Sequence, residues 1–151
     1  MRHIRIVLPI FFIVTFLSCK KDNENDLQKL NTVVGEWTWI NSCGGFTGTD
    51  MQTPTSSNST KRIIFKDNSE FIMLENGDTI HKTTYFTSRE KSILFQDTFN
   101  FVTVNYKYRI MGTDSIVTLP MRYIIRNMSD SLKIDEDVYD GYCHRYLRNK
   151  K

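Results

Sequence analysis

Asp135-Glu-Asp-x-x-Asp140 and the pair Cys143-His144 bring acidic, thiol and imidazole side chains close together in this 151-residue sequence. The carboxylates could offer hard oxygen ligands to Ca²⁺. They lack the glycine and the spacing of an EF-hand loop, and a solvated turn accounts for them more simply. A thiolate beside an imidazole could act as nucleophile and base. Adjacent residues of an extended strand point to opposite faces, which argues against a Cys143–His144 dyad. Nothing in the spacing brings His81 to His144 as a metal pair. No Walker loop, His-Glu-x-x-His, Cys-x-x-Cys or Gly-x-Ser-x-Gly is present. We expect no enzyme, no cofactor and no metal.

The N-terminus carries a different chemistry. Met1-Arg-His-Ile-Arg5 is basic, and Ile6 to Leu17 is an apolar run. That is the layout of a secretory signal, and a helix of about a dozen residues is too short to cross a bilayer core of roughly 30 Å. Phe16-Leu-Ser-Cys19 follows, then the polar run Lys20-Lys-Asp-Asn-Glu-Asn-Asp26. This resembles the bacterial lipobox. The resemblance implies diacylglyceryl transfer to the Cys19 thiol, cleavage before Cys19, and acylation of the new amine by a fatty acid such as palmitate. The expected organisation is a signal peptide over 1–18, a lipidated tether over 19–32 and one domain over 33–151. Loss of Arg2 and Arg5 with the signal lowers the formal charge of +3 by two, which leaves a nearly neutral domain. No clustered basic stripe suggests nucleic acid.

From Val33 onward the chain is rich in Ile, Val, Thr, Tyr and Phe, broken by short turns. That pattern predicts an all-β domain. Gly35 to Ile40 is the first strand, with Trp37 and Trp39 on one face. A long loop spans Asn41 to Ser59. Thr60–Lys66 and Glu70–Glu75 form a hairpin, and Asn76-Gly77 marks a second, since a type I′ turn needs positive φ at both central residues. Further strands are expected at 79–87, 92–96, 102–111, 115–119, 123–127, 131–134 and 141–147. Pro120 should end or interrupt a strand because it cannot donate to the ladder. A meander of this kind closes into an up-and-down antiparallel β-barrel of about eight strands.

Gly35-Glu-Trp37 at the head of such a meander resembles the Gly-x-Trp signature of the lipocalin family. With Trp39, Gly44-Gly-Phe-x-Gly48, Pro54 and Asp140-Gly-Tyr-x-x-x-Tyr146, the mature region looks like the lipocalin-like lipoproteins of Bacteroidota-type bacteria. The resemblance implies a basic residue of the last strand over Trp37, with Arg145 and Arg148 both available. Core packing alone would also explain both tryptophans.

Barrel closure bears on the cysteines. First and last strands become antiparallel neighbours, so the end of one meets the start of the other. Cys43 and Cys143 sit at those two places, and a Cys43–Cys143 disulfide is expected.

The leading functional expectation is an envelope-anchored, lipocalin-like lipoprotein that binds a small apolar or amphipathic ligand. Phe71, Met73, Tyr85, Phe95, Tyr106, Tyr108 and Tyr123 would line the ligand cavity or simply fill the barrel. The alternative is a solid barrel whose long loop contacts another envelope protein or a glycan. We expect a monomer, held to the outer membrane through its lipid; Lys20-Lys-Asp22 loosely resembles a surface-export signal. Asp78-Thr-Ile, Asp114-Ser-Ile and Asp130-Ser-Leu resemble an O-glycosylation motif, although ordinary turn chemistry also explains them.

Overall fold

The computed structural model describes residues 33–149. Cys19, with the whole of the expected signal peptide and tether over 1–32, lies outside the described residues. Nine strands form one antiparallel sheet: β1 (Gly35–Gly44), β2 (Asp50–Gln52), β3 (Lys61–Phe65), β4 (Glu70–Glu75), β5 (Asp78–Lys91), β6 (Thr98–Arg109), β7 (Ile116–Met128), β8 (Ser131–Glu136) and β9 (Tyr142–Arg148). Neighbours in sequence are neighbours in space from β3 to β9. The first half of β1 pairs with β3, and its other edge pairs with β9. That second pairing closes an eight-stranded barrel. The short β2 adds to the far half of β1, outside the closed ring.

Alternation decides which side chains go in. On β1 the inward set is Trp37 and Trp39, both buried, while Glu36 and Thr38 face out to Arg62 and Asn149. On β6 the inward set is Val102, Val104 and Tyr106. Ile63, Phe65, Phe71, Tyr85, Ile134 and Tyr146 belong to the same buried cluster, and its burial drives closure. The outer face has its own small apolar contact. Phe101 and Ile124 pair across β6 and β7, both fully buried, and the Arg122 guanidinium lies 4.5 Å from the Phe101 ring centre.

The Asn76–Gly77 turn is present, with φ of 52° and 93°, joining Glu75 to Asp78 in register. Three expectations need correction. Residues 92–96 are a turn and not a strand. Ser92 Oγ accepts from the amides of Leu94 and Phe95 and donates to Asp137, whose other oxygen accepts from the Ile93 amide. A carboxylate 45 positions away thus caps the turn.

Pro120 does not interrupt β7, where it stands opposite Asn105. β8 reaches β7 only from Tyr123 onward, so the Pro120 segment is paired on one side. A missing donor is tolerated on such a half-free strand.

The 41–59 stretch is more ordered than a loop. β1 continues to Gly44, β2 folds back on it, and Pro54–Ser57 make one helical turn, α1. Thr53 caps α1 through Ser56 in a capping box with proline in the first turn.

Candidate functional site

One end of the barrel is plugged. Trp37 Nε1 donates to the Val33 carbonyl at 2.8 Å, and the Arg148 guanidinium lies 4.0 Å from the Trp37 ring centre. Arg148 also donates to the carbonyls of Val34 and Ser129, each at 3.0 Å. Of the two basic residues considered, Arg148 takes this place because it stands opposite Trp37 on β9. A Cβ on Gly35 would come within 2.6 Å of the Arg148 guanidinium, and Gly35 has φ of 145°. Glycine is therefore needed for the arginine to cross the strand end. Tyr85 belongs to this plug. It packs edge-on against Phe65 and donates from its hydroxyl to the Lys66 carbonyl.

Beyond the plug a cavity of about 300 Å³ runs toward the other end, where exposed Gln52 and Ile80 and half-buried Lys61 line its edge. Its apolar wall is built from Ile63, Phe65, Phe71, Met73, Val104 and Ile134. Its polar wall comes from β1, β8 and β9. There Trp39 Nε1 donates to Ser42 Oγ at 2.9 Å, and Ser42 Oγ lies 2.7 Å from His144 Nδ1. The serine oxygen accepts from the indole and shares a hydrogen bond with Nδ1. The other ring nitrogen, Nε2, faces Glu136 Oε1 at 3.5 Å. The Tyr142 amide donates to the other oxygen of Glu136 at 3.0 Å.

The His144 contact and the Tyr142 amide together outweigh partial burial and hold the Glu136 carboxyl below its ordinary range. Tyr106 and Tyr123 also line the cavity. Burial pushes the Tyr106 phenol up to about 12 and raises Tyr123 and Tyr146 as well. All three are neutral hydrogen-bonding groups at physiological pH.

Serine, histidine and carboxylate follow one another here in the order of a hydrolase triad. Two features separate this relay from one. The oxygen that would attack is already held by the Trp39 N–H, and the histidine–carboxylate contact is long for a hydrogen bond. The arrangement suits recognition of a polar group better than attack on one.

Four of the aromatic and sulfur residues expected at the cavity line it: Phe71, Met73, Tyr106 and Tyr123. Three do not. Tyr85 is in the plug, as above. Tyr108 is exposed, past the wall, against Tyr106 and His81. Phe95 sits on the exposed 92–96 turn, where Arg126 lies between it and Phe99 at 4.7 and 4.6 Å. Its misplacement follows from the strand that is in fact a turn.

Cys43 and Cys143 stand opposite each other on β1 and β9 and are disulfide-bonded, with Cα atoms 5.2 Å apart. The acidic run is dispersed. Asp135 faces Arg126 and Lys133, Glu136 enters the cavity, and Asp137 is buried against Ser92 and Arg122. No metal-holding group of three such side chains occurs among the described residues.

Sequence reasoning missed Ser42, His144 and Glu136 as one group. The signal was available: if Cys43 faces Cys143, then Ser42 faces His144 one step further along, on the opposite side of the sheet.

No family model, curated protein or solved structure matches the chain.

Proposed function

We propose that this protein is a lipocalin-like lipoprotein of the bacterial envelope whose barrel binds a small apolar or amphipathic molecule. The observation that carries the reading is the cavity of about 300 Å³, with an apolar wall and a hydrogen-bonding wall. It lies at the small end of the range of natural ligand sites. A barrel filled by its own side chains would leave no such space. The plug of Trp37 and Arg148, admitted by Gly35, agrees with the Gly-x-Trp resemblance and leaves one end free for entry. Cys19, by the lipobox resemblance, would tether the barrel to the outer membrane, with the ligand held outside the bilayer.

Phenylbutanol, titrated into ¹⁵N-labelled protein, tests the reading. Amide shifts should concentrate on β1, β4, β6 and β9 residues around the cavity and saturate at one equivalent. Shifts that scatter over the outer surface without saturating would refute it.

A further inference from the structure

The cavity wall carries a charge that an apolar ligand alone would not need. Glu136 is four-fifths buried, and its Oε1 has one contact, the long one to His144 Nε2 at 3.5 Å. The rings of Trp39, Tyr106, Tyr123, Tyr142 and Tyr146 line the same cavity. Aromatic faces attract cations through the ring quadrupole, most strongly where water is excluded. A carboxylate in a cavity lined by aromatic rings favours one ligand charge and opposes the other.

Two basic side chains also line the cavity, Lys61 and His144, and neither makes a close ion pair with Glu136. Lys61 is at the edge, shared between Glu75 at 3.9 Å and the Trp39 ring at 5.2 Å. His144 is held through Nδ1 by Ser42 Oγ at 2.7 Å, and its Nε2 stands 3.5 Å from Glu136 Oε1. Lys61 over Trp39 also shows that this ring accepts an ammonium.

We propose that the ligand is an amphipathic organic cation, its ammonium against Glu136 and the aromatic wall and its apolar body against Phe65, Phe71 and Met73. The proposal rests on the ligand-binding reading and narrows it. A cavity of about 300 Å³ corresponds to about ten water molecules of liquid volume, so the body is one ring or a short chain.

Isothermal titration calorimetry of the full-length protein with phenylbutylamine, phenylbutanol and phenylbutyrate tests it, because the three share a body and differ in charge. The amine should bind about tenfold more tightly than the alcohol, and the acid more weakly than either. Glu136→Gln should bring the amine to within about threefold of the alcohol and leave the alcohol unchanged. Equal or tighter binding of the acid, or an amine preference that survives Glu136→Gln, would overturn the cationic assignment while leaving the cavity a ligand site. Binding of none of the three would overturn the ligand reading itself, and this proposal with it. The ranking in the unaltered protein decides the charge question even if Glu136→Gln fails to fold.

Discussion

Ser42 and His144 face each other across β1 and β9 with 2.7 Å between Oγ and Nδ1, one step along the strands from the Cys43–Cys143 disulfide. The two pairs occupy opposite faces of the same ladder. Covalent closure outside therefore fixes the register of the polar relay inside. A slip of one residue would turn the relay out of the barrel and the disulfide into it.

The relay should not act as a hydrolase. The indole N–H on Ser42 Oγ opposes attack, and the protein should hydrolyse p-nitrophenyl acetate no faster than its Ser42→Ala variant does. Serine-dependent turnover with an acyl-enzyme burst would show that the Trp39 bond breaks during reaction. The same substitution should cost about 1–3 kcal/mol in urea unfolding, because the Trp39 N–H and His144 Nδ1 both lose their partner.

The disulfide closes a loop across a sequence separation of 100 residues. Replacing both cysteines by serine should cost about 2–4 kcal/mol, mainly through the unfolded chain. The barrel should survive, because the β1–β9 ladder carries seven registered pairs from Trp37 to Gly44. Far-ultraviolet circular dichroism and a denaturant midpoint measure the two effects separately.

Two arginine substitutions on β9 isolate the contact at Trp37. Arg148→Ala removes the cation from the Trp37 face and two carbonyl bonds, and should cost about 2–4 kcal/mol. Arg145→Ala, at an exposed position of the same strand, should stay within about 0.5 kcal/mol. Thermal melts of the pair check the contrast. Ligand affinity should change little in either, since both lie outside the cavity wall.

Acid stability should follow two carboxylates. Asp137 is raised by burial, but bonds from Ser92, Arg122 and the Ile93 amide prevail and hold it below its ordinary 3.8. Glu136 lies below its ordinary 4.5, chiefly through His144. Groups depressed by folding contribute fully above those ordinary values, and the contribution is lost as pH falls through the lower folded ones. The melting temperature should therefore drop below pH 4.5, and more shallowly in Asp137→Asn. At the alkaline end the sign reverses. Tyr106 stays protonated to about 12 when folded and ionises from 10.0 when unfolded, so stability should fall as pH rises past 10.0.

Local rules made the barrel readable in advance. Alternation put Trp37 and Trp39 on one face, Asn76-Gly77 demanded its turn, and strand count made β1 and β9 neighbours, which brought Cys43 to Cys143. What local rules could not carry was long-range capping. Ser92 to Gln96 has strand-like residues, yet Asp137 from another part of the chain bonds its amides and hydroxyl into a turn. Phe95 was misplaced with it. Pro120 follows the same logic in reverse, because the free side of β7 depends on how short β8 is. The cavity itself was not readable, since inward aromatics serve a filled barrel and a hollow one equally well. Glu136 escaped notice because its neighbours Asp135 and Asp137 made it look like part of a solvated turn.

Native mass spectrometry of the protein, purified gently from its own membrane, tests the ligand-binding claim most directly. The account predicts a stoichiometric adduct of one small molecule, lost on denaturation and absent from a Met73→Trp variant whose added ring fills the cavity. A bare polypeptide mass beyond its own lipid, from a preparation whose wash fractions carry no released small molecule, would contradict it.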